Sequence, residues 1–147
     1  MQISRISKDE CYLMMAGELA RRSTCLDKQV GCIITNKQNE IIAAGYNGAP
    51  RGMIHCIDLG CCLKEVHGND PNRCPSAHAE QNALMQCRVP EQIHSIYLTL
   101  SPCISCIRII MNTPCKRIVF TQEHKHKWAK QMWFAKKGVK WINYALQ

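Results

Sequence analysis

Residues 75–106 read PSAHAEQNALMQCRVPEQIHSIYLTLSPCISC, and this stretch decides the fold. Ser76 is placed to cap a helix from about Ala77 to Cys87, a run rich in the helix formers Ala, Glu, Gln, Leu and Met. Residues 95–100 form a short apolar run with Ile, Tyr and Thr, the composition of a strand. Pro102 suits the first turn of a second helix reaching about Asn112, where a missing N–H costs nothing.

Working outward, the pattern continues on both sides. Downstream, residues 117–121 read as a strand, about 128–137 as a helix and 139–144 as a last short strand. Upstream, Tyr12, Met15 and Leu19 recur at helical spacing within residues 8–23, with Ser7 as the cap. Residues 30–35 and 41–44 are apolar runs separated by the polar turn 36–40, which predicts a hairpin. Strands alternating with helices predict a three-layer α/β domain with right-handed crossovers and ligands at the strand ends where helices begin. The 147 residues are expected to form one domain, 1–147, interrupted by a long insertion at about 45–75 rich in Gly, Pro, Cys, Asn and His. A loop of that length without its own core is usually functional or cross-linked.

Composition narrows the setting. Uncharged apolar runs are far too short to cross a bilayer, and the start, MQISRISKDE, lacks the apolar centre of an export signal, so a cytoplasmic protein is expected. Eleven cysteines cannot all pair, and under reducing conditions clustered cysteines point to metal before disulfide. Isolated ones such as Cys11, Cys32 and Cys87 read as small core hydrophobes. The formal charge of +8 suits an anionic substrate or partner, nucleotide or nucleic acid. Much of it lies in the tail (Lys125, Lys127, Lys130, Lys136, Lys137, Lys140), where a solvated helix face would serve as well.

The chemistry sits at the starts of the two central helices. His78, two residues before Glu80, opens the first; Cys103 and Cys106, three apart, open the second after Pro102. Imidazole and two thiolates make a three-ligand zinc set that keeps a fourth position open, the mark of a catalytic rather than a structural site. Zinc at such a site lowers the pKa of water from about 15.7 to about 7, and a non-ligating carboxylate beside it, Glu80, can move the protons. His-x-Glu followed by Pro-Cys-x-x-Cys is the pattern of zinc-dependent base deaminases. Alone, Cys-x-x-Cys would fit redox or structural zinc equally well. A structural zinc has no use for Glu80.

At these residues the chain resembles the deoxycytidylate (dCMP) deaminases of the cytidine and deoxycytidylate deaminase superfamily. The likeness runs through Arg22–Cys25, Val30–Cys32, Gly45–Gly52, His78–Ala83 and Leu100–Cys103, and His55–Cys61 looks like the bacterial and phage branch. The resemblance implies a cytidine-deaminase-like fold, a mixed five-stranded sheet flanked by helices. It implies hydrolysis of dCMP to dUMP and ammonia for thymidylate synthesis, dCTP being a further substrate to consider. Asn47 would hold the sugar hydroxyl, and the backbone at Ala79 and Ser101 the cytosine edge. Family members are often hexamers controlled by dCTP or dTTP with magnesium, so a homo-oligomer with such effectors is expected. One departure stands out: after Phe120 the family usually has an acidic residue and then a tyrosine near the base, whereas here the chain reads Thr121–Gln122–Glu123–His124–Lys125–His126. His124 or His126 can stack in its stead, or the segment is a solvated loop.

Some phage-type members carry a second, structural zinc whose cysteine ligands correspond to Cys25 and Cys56. His67 and Cys74 complete the candidate set by loop position, with His55, Cys61 and Cys62 as rivals. For the 5′-phosphate, Arg22 and Arg51, with Lys28, are the cations nearest the motifs; each can equally be a surface charge. The competing activity is deamination of a base in RNA or DNA, which the positive charge suits; the Tyr46–Asn47–Gly48 loop and the few aromatics argue for a free nucleotide.

Overall fold

The computed structural model describes residues 3–146. Five strands, β1 (Gly31–Thr35), β2 (Ile41–Tyr46), β3 (Ser95–Leu100), β4 (Arg117–Gln122) and β5 (Lys140–Asn143), form one sheet in the order β2-β1-β3-β4-β5. β1 runs antiparallel to both β2 and β3, while β3, β4 and β5 are parallel, so the sheet is mixed as expected. The parallel half follows from the connections. α5 (Ile104–Ile110) links β3 to β4 and α6 (Trp128–Trp133) links β4 to β5, and a strand–helix–strand crossover returns the chain in the same direction.

Side-chain alternation along the strands builds the layers. Ile34, Ile96, Leu98, Ile118 and Phe120 face one side, where they meet Ala79 and Ala83 of α4 (Ala79–Gln86), Ile107 and Ile110 of α5, and Trp133 of α6. Ile33, Tyr97 and Val119 face the other side and pack on Leu13 and Ala16 of α1 (Lys8–Ala20). α1 is capped by Ser7, whose hydroxyl accepts from the Glu10 N–H at 3.0 Å, as its sequence predicts. It ends at Ala20, three residues short of the expected end, and its Asp9 anchors it to the sheet through Arg117 (2.7 Å) and Tyr97 (2.8 Å).

Two glycines let the helices approach this closely. A Cβ at Gly31 would lie 1.8 Å from the Ala16 carbonyl oxygen of α1, and one at Gly45 would lie 2.6 Å from the Ala83 nitrogen of α4. Both neighbours are backbone, which cannot rotate away. Gly31→Ala is therefore expected to displace α1 and destabilise the protein by about 3 kcal/mol or more. Thermal melting checks this, and an unchanged midpoint would mean that α1 does not sit where described.

The insertion is not structureless. It contains two single-turn helices, α2 (Cys56–Leu59) and α3 (Leu63–Val66), and a 3-10 turn at Pro71–Arg73. Among the described residues no helix is long and apolar enough to cross a membrane.

Candidate active site

The central helices begin later than their sequences suggest, and the difference matters for chemistry. Ser76 does not cap α4. His78 is the N-cap, with extended backbone, and its N–H donates to the Gln81 side chain at 2.8 Å; the Ser76 hydroxyl instead donates to the Ala77 carbonyl. Likewise Cys103, not Pro102, stands at the boundary of α5, as its N-cap. One ligand thus comes from each cap, and Glu80 and Cys106 follow in the respective first turns. The loop after β2 is tied to the same place: Gly48 and Ala77 exchange two backbone hydrogen bonds, and Asn82 donates to the Tyr46 carbonyl at 2.8 Å.

The ligand atoms of His78, Cys103 and Cys106 lie within 4.8 Å of one another, the one such group of histidine, cysteine and acid side chains among the described residues. His78 Nδ1 is 3.2 Å from Cys106 Sγ and 3.4 Å from Cys103 Sγ. Glu80 is buried beside them, 4% exposed, and accepts from the Cys106 thiol at 3.5 Å. The cluster divides its protons unequally. The hydrogen bond from Cys106, and then that with His78, pull the Cys103 thiol down to about 3 against the opposing effect of burial. Cys106 is raised, by that same bond, by burial and by the charge of Glu80. His78 is raised, chiefly by its bond to Cys103. Burial lifts the carboxyl of Glu80 above the ordinary range. One imidazole and two soft sulfurs, with a carboxyl at their side that takes no part in the triplet, fit a catalytic zinc.

These groups open onto a cavity of about 230 Å³ that Asn47, Ala79, Glu80, Ser101 and His124 help to line. Asn47 is buried and largely engaged: its Oδ1 accepts from the Val30 N–H at 2.9 Å and its Nδ2 donates to the Lys28 carbonyl at 2.7 Å. Ser101 is likewise committed, its N–H donating to the Gln122 carbonyl and its hydroxyl accepting from the His124 N–H at 2.7 Å. Its carbonyl oxygen remains for a ligand.

Two sets of residues singled out by sequence stand differently in the surroundings. Arg22 and Arg51 do not line the cavity: both are exposed, and the Arg22 guanidinium lies over the Tyr46 ring at 5.9 Å. The lysines at the cavity are Lys28 and Lys64, the latter paired with Asp27 at 2.5 Å. In the insertion, Cys25, Cys56 and Cys74 surround one small cavity together with Cys62, while His67 stands outside it, exposed, 3.4 Å from Arg73. No periodicity marks such positions; the folding of the loop places Cys62 at this cavity and His67 away from it.

The fold and the partly buried triplet with its buried flanking carboxyl define a zinc-site hydrolase in which a helix cap supplies each of two ligands. A profile of the cytidine and deoxycytidylate deaminase zinc-binding region matches residues 6–122. ComE operon protein 2 of Bacillus subtilis is 35% identical over 142 residues, covering 93% of this chain and 71% of the relative. The deoxycytidylate deaminase of Mycobacterium phage D29 is 33% identical, covering 82% of this chain and 99% of the phage protein. The chain spans only 40% of the longer Saccharomyces cerevisiae deoxycytidylate deaminase. Among solved structures, dCMP deaminase from the cyanophage S-TIM5, in complex with dCMP and dUMP, superposes with a TM-score of 0.76 at 25% identity, over 97% of this chain and all of the phage chain. The chain belongs to the cytidine and deoxycytidylate deaminase family, hydrolases of carbon–nitrogen bonds.

Proposed function

We propose that residues 1–147 act as one deaminase domain that hydrolyses dCMP to dUMP and ammonia. The observation that carries this is Glu80, buried on the wall of a cavity of about 230 Å³ and flanked by three soft metal ligands that do not include it. Zinc held by His78, Cys103 and Cys106 would acidify the water that attacks C4 of the cytosine. Glu80 would take a proton from that water and pass it to N3 of the ring, then take the second proton from the new C4 hydroxyl and deliver it to the departing amine. Pyrimidine and water become the 4-oxo ring and ammonia, with no other reactant. The Ser101 carbonyl is the acceptor left for the exocyclic amine, and the Ala79 backbone closes the opposite edge. Asn47 keeps one amide hydrogen and one lone pair for a sugar hydroxyl after its two backbone bonds.

A second, structural zinc held by Cys25, Cys56, Cys62 and Cys74 belongs to the same reading. Its support is that these four side chains line one cavity of about 30 Å³ in the insertion, where a metal would draw together sulfurs that stand farther apart than those of the catalytic triplet. Assembly into a homo-oligomer, control by dCTP or dTTP with magnesium and a cytoplasmic setting are part of the same proposal; the eleven free cysteines support the last of these.

The test is ammonia release from dCMP, dCTP, deoxycytidine and a cytosine-containing single-stranded oligonucleotide at two salt concentrations. The expected result is efficient turnover of dCMP, with deoxycytidine poorer in kcat/KM by at least roughly tenfold because a charged contact is lost. Turnover of the oligonucleotide with steep salt dependence, and none of dCMP even with dCTP added, would establish a polynucleotide deaminase in its place.

A further inference from the structure

Resting on the nucleotide reading above, we infer that Lys28 and His124 form the phosphate end of the substrate site, supplying the contacts that distinguish a nucleotide from a nucleoside. The cavity beside Glu80 adjoins a second one of about 370 Å³, and Asp27, Lys28, Val30, Leu100 and His124 line both. With the base beside Glu80 and the sugar at Asn47, both on the wall of the first cavity, we set the 5′-phosphate at the junction.

Lys28 and His124 are the donors there. Lys28 makes no ion pair among the described residues, and its backbone is held in place by the Asn47 amide. The acidic neighbours are already engaged: Asp27 by Lys64 at 2.5 Å, and Glu123 by the Trp141 indole at 3.4 Å and Lys130 at 3.9 Å. Nothing at the junction therefore competes for Lys28.

His124 is oriented from two directions. Its N–H donates to Ser101 Oγ at 2.7 Å, which fastens the loop after β4 to the loop that carries Cys103. Its Nδ1 accepts from the His126 N–H at 3.2 Å. A ring nitrogen that accepts cannot also hold the proton, so neutral His124 carries it on Nε2, as a donor. A phosphate monoester has acceptors only for such a pair, one cation and one oriented N–H. His124 thus occupies, with different chemistry, the segment where the family usually presents a tyrosine.

The experiment compares kcat and KM for dCMP and for deoxycytidine in the wild type, Lys28→Ala, Lys28→Arg, His124→Ala and His124→Gln. Both alanine variants are expected to lose roughly tenfold or more in kcat/KM on dCMP, mainly through KM, and to lose several-fold less on deoxycytidine, so that the dCMP preference shrinks. Lys28→Arg and His124→Gln, which retain a donor, are expected to recover most of the loss. Equal losses on both substrates, or no loss, would overturn the assignment, as would loss of the dCMP preference in Arg22→Ala or Arg51→Ala with Lys28→Ala silent. Wild-type protein inert on dCMP overturns the nucleotide reading itself, a result distinct from any behaviour of the variants.

Discussion

Glu80→Gln is expected to fold, bind zinc and melt as the wild type does, yet lose about 10⁴-fold or more in turnover. General acid–base groups contribute ~10²–10⁴-fold to a single proton transfer, and this carboxyl serves several in succession. Gln keeps the shape and one acceptor oxygen, so the buried site loses no volume; what disappears is the exchangeable proton. Glu80 also accepts from the Cys106 thiol at 3.5 Å, and the Gln oxygen can keep that bond. Zinc content by atomic absorption and single-turnover deamination of dCMP decide the matter. A variant that retains zinc and wild-type rate would remove Glu80 from the chemistry.

Cys103→Ser and Cys62→Ser are expected to separate the two cysteine clusters. Cys103 belongs to the triplet whose ligand atoms lie within 4.8 Å, so its loss leaves only His78 and Cys106, and activity should vanish. Metal content should fall from about two zincs per chain to about one. Cys62→Ser should remove the other zinc while sparing the cavity around Glu80. Deamination measured well below the melting midpoint should persist, but that midpoint should drop by about 10 °C, because the insertion has little apolar core to replace the metal. One zinc in native protein prepared without chelators, together with unaltered melting of Cys62→Ser, would dispose of the second site.

The catalytic cluster and the insertion cluster differ in how they arise. His78 and Glu80, and Cys103 and Cys106, are pairs within single helix starts, so their mutual placement is set by local backbone geometry that spacing reveals. The strands were readable for the same reason: alternation places Ile33 and Ile34, or Tyr97 and Leu98, on opposite faces whatever lies beyond them. By itself the sequence determined the three-layer order of strands and helices and the spacing that puts His78, Glu80, Cys103 and Cys106 at two helix starts, while the mixed sheet was implied by the family resemblance. Even so, local propensity misplaced the cap of α4. Ser76 is the better capping side chain, but the two hydrogen bonds between Ala77 and Gly48 hold the chain extended past it and start the helix at His78.

Everything that depends on residues distant in the chain and lacking periodicity was decided by tertiary structure alone. Arg22 and Arg51 adjoin family motifs yet stand outside the cavity, whereas Lys28 is brought to it because Asn47, nineteen residues away, grips its carbonyl. Cys62 rather than His67 lines a cavity with Cys25, Cys56 and Cys74 because α2 and α3 fold the insertion into separate turns, a path that no repeat of residue type records. His124 reaches the active cavity through a single hydrogen bond to Ser101, across two loops that follow neighbouring parallel strands. The physical reason is one of range. Spacing within a turn of helix or along a strand constrains neighbours to a few ångströms, while loop-to-loop contacts are chosen by the packing of the whole sheet.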